Sequence, residues 1–150
     1  DTDAIEMLGS IRPDNLLYVG KAEDNLVARD LRTHFASGRT GSSTVRRSFA
    51  ALLREPLALR ATPRNPAKPG YFHSYGLDVG SEERLTDWMQ AHLSLAVWPK
   101  PEEVNLAEVE RAVLQHLDPP LNIAAVKTQR AELQAARAQM AAEAQAWRPS

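Results

Sequence analysis

The sequence predicts an α+β domain. Two short apolar runs, "NLLYVG" (15–20) and "LSLAVWP" (93–99), have strand character. Five or six segments around them repeat their apolar residues at helical spacing. A length of 150 residues suits one domain able to bury a core.

The elements follow in order. "TDAIEMLG" (2–9) reads as a short helix capped by Thr2 or Asp3 and stopped by Gly9. Pro13-Asp14 starts a turn, and "NLLYVG" is the first strand. Asn25 can cap a helix over "LVARDLRTHF", with Val27, Leu31 and Phe35 on one face and His34 at its margin. "ASGRTGSS" is a loop. Ser42 or Ser43 then caps "TVRRSFAALLR", whose Val45, Phe49, Leu52 and Leu53 face a core. Residues 55–80 carry four prolines and three glycines and read as irregular, with short extended pieces at "LALRA" and "GYFHSYG". Ser81 caps "SEERLTDWMQAHL", with Leu85, Trp88, Met89 and Leu93 on its apolar face. "LSLAVWP" is a strand closed by Pro99. "EVNLAEVERAVLQHL" is a helix stopped at Asp118-Pro119-Pro120. The Ala-rich "KTQRAELQAARAQMAAEAQAW" (127–147) is a final helix. Its Leu133, Ala136, Met140, Ala144 and Trp147 form a packing face. Two strands are too few for a complete sheet.

Composition narrows the function. Cys is absent, which excludes disulfides, thiolate nucleophiles and Cys-based zinc sites. No apolar run approaches the ~20 residues of a membrane helix, and the acidic "DTDAIEMLGS" lacks the regions of a signal peptide; a cytoplasmic location is the expectation. Net charge is −1, but it is unevenly spread. Residues 27–68 hold nine Lys or Arg against Asp30 and Glu55, whereas residues 69–150 hold seven basic and eleven acidic residues. Two readings fit: an Arg-rich solvated surface, or a face for a polyanion. The four histidines lack metal-ligand spacing, no Gly-x-Ser-x-Gly occurs, and "GKA" lacks the upstream glycine of a P-loop.

A few residues break the bland pattern. Glu110 lies four residues after Leu106 and three before Val113, inside the apolar stripe of its helix, while Glu108 points away. A carboxylate there needs a partner, a metal or an exposed edge, because burying it unpaired costs several kcal/mol. A structural salt bridge and a catalytic or metal-ligating role both remain open. Tyr18 ends a strand, where a tyrosine commonly packs with its hydroxyl at the surface. Gly20 permits a close backbone approach. "SGRTGSSTVRR" leads into a helix N-terminus, where capping by serine and binding of a phosphate are alternative readings.

Together these segments resemble the GIY-YIG nuclease superfamily. "YVG" (Tyr18, Val19, Gly20) is similar to its second signature motif, and "NLVAR" places Arg29 at its helical arginine. "RAVLQHLDPPLN" resembles its closing pattern, with Glu110 nine residues before the first proline and Asn122 after the second. "TGSSTVRRSFAALL" looks like a segment of a bacterial branch. The resemblance spans residues 16–122, which marks the expected core of a single domain, with the helix at 127–147 as an addition. Two departures stand out, one in the spacing of the helix residues and one in the first motif. Arg29 follows Tyr18 by eleven residues, one more than usual. His34 lies five beyond Arg29 rather than four, a rotation of about 140° on an ideal helix. The larger departure is the first motif, whose tyrosine would fall at Met7 in "IEM"; truncation or omission of that strand is the expectation.

The resemblance implies a small antiparallel sheet of about three strands flanked by helices, and metal-dependent cleavage of phosphodiesters, in DNA more than RNA. Glu110 would hold one Mg²⁺ or Mn²⁺, Tyr18 would orient or deprotonate water, and Arg29 would stabilise phosphate charge, with His34 a proton-shuttle candidate. Lys21, Arg32, Arg39, Ser43, Thr44, Arg46 and Arg47 would contact nucleic-acid phosphates. Gly20 and Asn122 would be structural. The alternative is a catalytically impaired domain of the same fold that binds nucleic acid or a partner.

Overall fold

The structure is a computed structural model that describes residues 16–21, 35–65, 67–68, 72–99 and 101–148. The expected helices at 2–9 and 26–35 lie outside the described residues, Phe35 excepted, as do Arg29, Arg32 and His34. Among the described residues the fold is α+β, with four α-helices and one two-stranded antiparallel sheet. The chain divides into two compact units: residues 1–26 with 95–130, and residues 27–94 with 131–150. None of the described helices is long and apolar enough to cross a membrane.

The second unit holds the sheet and three helices. Helix α1 (Thr44–Leu52) starts at Ser43, whose hydroxyl accepts the Arg46 N–H at 3.1 Å. This satisfies one of the donors that a helix start leaves open. Val45 and Phe49 are buried, but Leu52 is exposed and Arg46, Ser48, Ala50 and Ala51 are buried instead. Leu52 closes the helix one residue before its cap, and the chain turns away there. Strands β1 (Ala61–Thr62) and β2 (Gly76–Leu77) pair antiparallel, Ala61 opposite Leu77 and Thr62 opposite Gly76. Each begins on the last residue of an extended piece read at "LALRA" or "GYFHSYG", while Phe72–Ser74 within the second is a 3-10 turn.

Helix α2 (Val79–His92) is capped by Asp78 rather than Ser81. The Asp78 carboxylate accepts the Ser81 N–H at 2.7 Å, and the Ser81 hydroxyl turns to accept Arg60 N–H at 2.9 Å. β2 feeds straight into Asp78, so the helix begins two residues before Ser81. Helix α4 (Ala131–Ala146) packs on α1, on β1 and on a 3-10 turn at Phe72–Ser74. Leu133, Met140 and Ala144 are its buried residues. Tyr75 is fully buried and donates its hydroxyl to the Arg47 carbonyl at 2.6 Å; burial pushes its pKa up.

The first unit is built on helix α3 (Leu106–Leu117), capped by the Asn105 side chain. Val113, Leu114 and Leu121 are its buried apolar residues. Among the described residues neither expected strand is formed here. Leu16–Gly20 forms no ladder, and Leu95 and Val97 are 47% and 56% exposed in a segment without secondary structure. An alternating apolar run becomes a strand only when a neighbour takes its backbone groups. At Leu17 and Val19 that role falls to the loop after α3 and to one side chain. The expected three-stranded sheet is therefore two-stranded among the described residues.

Candidate active site

The first unit carries Tyr18, Gly20, Lys21, Glu110 and Asn122. Tyr18 and Lys21 are half-buried, and Gly20 is exposed. The Leu121 N–H donates to the Leu17 carbonyl at 2.9 Å. Asn122 is buried, and its amide grips Val19 from both sides: the Val19 N–H donates to Oδ1 at 2.9 Å, and Nδ2 donates to the Val19 carbonyl at 2.8 Å. An amide side chain thus does what a neighbouring strand would do, one donor and one acceptor to one residue. It fixes the residue next to Tyr18 to the segment that closes α3. Gly20 is part of the same arrangement. A Cβ there would sit 3.0 Å from Tyr18 Cε1 and 3.4 Å from its hydroxyl, so the bare glycine leaves room for the phenol ring.

Glu110 stands half-buried on α3, and its carboxylate makes no ion pair or hydrogen bond with any of the described residues. Among the described residues the structural salt bridge, one of the two sequence readings, is not formed there. No group of three or more His, Asp or Glu side chains is gathered to hold a metal among the described residues. On α3, Glu110 is half-buried and Glu108 exposed, and neither carboxylate has an ion-pair partner among the described residues. A lone carboxylate donor suits a hard ion that keeps most of its water, as Mg²⁺ does.

The loop after α3 is anchored by Asp118, which ends the helix in the left-handed region at φ 46°. Its carboxylate accepts the Lys127 N–H at 3.0 Å, the Thr128 N–H at 3.2 Å and the Thr128 hydroxyl, and pairs with Arg130 at 3.0 Å. The Thr128 hydroxyl contributes most to holding its pKa down at about 2, with the Thr128 amide and Arg130 adding to it. Sequence reading treated Asp118 only as part of a helix stop.

The second unit carries the remaining described candidates, and here the structure makes a correction. Arg46 has 0% exposure, and its guanidinium is enclosed by protein acceptors. Nη2 meets Glu82 Oε2 at 2.8 Å and Thr86 Oγ1 at 2.9 Å, and Nε meets Thr40 Oγ1 at 3.1 Å. Glu82, 5% exposed, also accepts the Gly38 and Thr40 N–H groups and the Thr40 hydroxyl. Burial lowers the Arg46 pKa and Glu82 opposes that, but a guanidinium stays charged in either case. Arg46 is therefore a core residue and has no face for a phosphate. Ser43 is buried as well, and its hydroxyl serves as the helix cap. Arg47 donates to the Gly41 carbonyl at 2.8 Å and to Thr44 Oγ1 at 3.2 Å, which occupies both partners in shaping the loop. Arg39 remains exposed. An Arg at the first turn of a predicted helix looks solvated in sequence; only the distant Glu82 and Thr86 reveal otherwise.

Among the described residues, the first unit carries a half-buried helical glutamate, Glu110, and a Tyr18 segment held through Val19 by Asn122. A family model described as the GIY-YIG catalytic domain matches residues 3–139, and the chain belongs to that family. The match reaches beyond the 16–122 core on both sides and takes in half of α4. No curated protein and no solved structure is significantly similar to it.

Proposed function

We propose that this chain is a metal-dependent endonuclease that hydrolyses phosphodiester bonds in nucleic acid, with DNA the favoured substrate. The observation that carries the reading is Glu110: a half-buried carboxylate with no partner among the described residues, on the helix that Asn122 ties to the Tyr18 segment. Glu110 would hold one Mg²⁺ or Mn²⁺. When bound, the ion would supply Lewis-acid polarisation of the phosphate and charge for the leaving oxygen. Tyr18 would orient the attacking water and, as a phenolate, take up its proton to become the neutral phenol. Arg29 would place positive charge against the phosphate as negative charge builds on it. His34 could return a proton to the leaving oxygen. Water is added across one P–O bond, leaving one phosphate end and one hydroxyl end. Lys21, Arg32 and Arg39 would position the backbone without reading bases.

A second reading is a domain of this family with impaired catalysis that still binds nucleic acid. The observation favouring it is Met7, which stands where the first motif's tyrosine would fall.

Glu110→Gln separates the two. It keeps the shape and removes the charge. The expected result is a loss of Mg²⁺- or Mn²⁺-dependent nicking of plasmid by roughly 100-fold or more, with metal-free nucleic-acid binding retained. The melting temperature should stay level or rise, since no ion pair is lost and an amide is cheaper to half-bury than a carboxylate. A folded variant that cuts as fast as wild type would overturn the assignment.

A further inference from the structure

The extended segment through β1 alternates with unusual regularity. Leu59, Ala61 and Pro63 are buried, while Arg60 and Arg64 are exposed and Thr62 is half-exposed. Period-two alternation puts Arg60, Thr62 and Arg64 on one face of the strand. A hollow lies on each side of this row. One, of about 280 Å³, is lined by Thr62, Arg64, Ser42 and the Gly38–Gly41 turn. The other, of about 440 Å³, is lined by Thr62, Arg60, Trp147 and Arg148. Thr62 lines both.

The charge in this region is positive and uncommitted. Among the described residues none of Arg60, Arg64 and Arg148 forms an ion pair. Arg64 donates to the Ser42 hydroxyl at 3.2 Å, and Arg148 donates to the carbonyls of Gln145 and Trp147. The carboxylates that line the two hollows are already engaged. Glu82 pairs with Arg46, Glu143 pairs with Arg54 at 3.1 Å and accepts the Ala61 N–H, and Asp78 caps α2. The stem of Arg64 is also held in place: a Cβ on Gly41 would stand 2.7 Å from Arg64 Cγ, so the glycine is what lets that side chain lie across the turn.

From these observations we infer that the Arg60–Thr62–Arg64 row, flanked by Arg148, is a binding ridge for the phosphodiester backbone of nucleic acid. The inference rests on the nucleic-acid reading above and adds a surface in the second unit whose residues have no part in the catalytic assignment. Arg60 and Arg64 stand on either side of the two-residue strand β1, so their side chains can meet different phosphates of one backbone. Two guanidiniums so placed, with a hydroxyl between them, grip a backbone without reading sequence. The Trp147 ring in the Arg60 hollow adds the aromatic surface on which unpaired bases can stack.

The test is Arg60→Gln with Arg64→Gln in the full chain, which removes both charges and keeps most of each stem. Binding to a labelled duplex and to a labelled single strand of equal length is measured without divalent metal, across a salt series. The expected result is roughly tenfold weaker binding to at least one of them, independent of sequence, with the salt slope reduced by about two and the melting temperature unchanged. Arg148→Gln should weaken binding further. Unchanged affinity and slope in the double variant would overturn the ridge while leaving the nuclease reading intact. A wild type that binds neither nucleic acid would overturn it too, as would charge-dependent capture by phosphatidylserine vesicles with nucleic-acid binding unaffected. Because metal is absent, loss of cleavage through Glu110 and loss of binding through the ridge are read separately.

Discussion

Arg46 and Glu82 decide most at the scale of single residues. A buried ion pair gains little over apolar packing when both partners are present, yet removing one leaves a charge stranded out of water. Glu82→Ala should therefore cost ~3–5 kcal/mol, since it strands the Arg46 guanidinium and the Gly38 and Thr40 donors together. Replacing both, Arg46→Met with Glu82→Leu, should recover part of that loss in urea unfolding. If Glu82→Ala proved as stable as wild type, the network would not be holding the loop. Gly38 belongs to the same loop and takes φ 74°, a backbone conformation that glycine enters without a Cβ clash. In the sequence Arg46 looked like one of a basic pair beside Arg47; helical spacing alone gives no sign that its partner lies on another helix.

The junction after α3 shows how one side chain can govern an element. Asp118 occupies the left-handed cap and gathers Lys127, Thr128 and Arg130 onto it. Its pKa is depressed to about 2, so the stability it adds is present above the ordinary carboxylate value and is lost as pH falls from about 4 towards 2. Asp118→Asn keeps a residue tolerant of the left-handed conformation and removes the charge. Faster hydrogen exchange at the Lys127 and Thr128 amides is expected in this variant at neutral pH. The difference from wild type should shrink as pH drops through that window; a difference as large at pH 2 as at neutral pH would contradict the assignment. The neighbouring Asn122 works similarly on Val19, through an amide that does not titrate.

For the whole molecule, the final helix is the informative element. It reads in sequence as an addition beyond the core, yet in the structure it completes the second unit. Met140 is fully buried, and Glu143 ties both Arg54 and the β1 backbone. Met140→Ala should cost ~2–5 kcal/mol, a core-sized loss, in thermal or urea unfolding of the full chain. A loss below about 1 kcal/mol, the range of a surface substitution, would mark α4 as peripheral. The family match, which runs into this helix as far as residue 139, accords with its place in the fold.

Local chemistry was legible in the amino-acid order wherever the answer depended on near neighbours. The helical stripe of α3 marked the half-buried position of Glu110, Ser43 was read among the caps of α1, the Pro- and Gly-rich segment held two short strands, and the motif order disclosed the family. Periodicity and capping are properties of a few consecutive residues, so sequence carries them. Strand pairing is not such a property. "NLLYVG" and "LSLAVWP" have strand composition, but a ladder requires a partner at the right distance, and Val19 found a side-chain amide instead. Burial of charge is likewise non-local. Arg46 became a core residue because Glu82, thirty-six positions away, folded against it, and Arg60, Thr62 and Arg64 became a ridge because Leu59, Ala61 and Pro63 turned inward. Those outcomes depend on which surfaces meet in three dimensions, and the tertiary structure alone decided them.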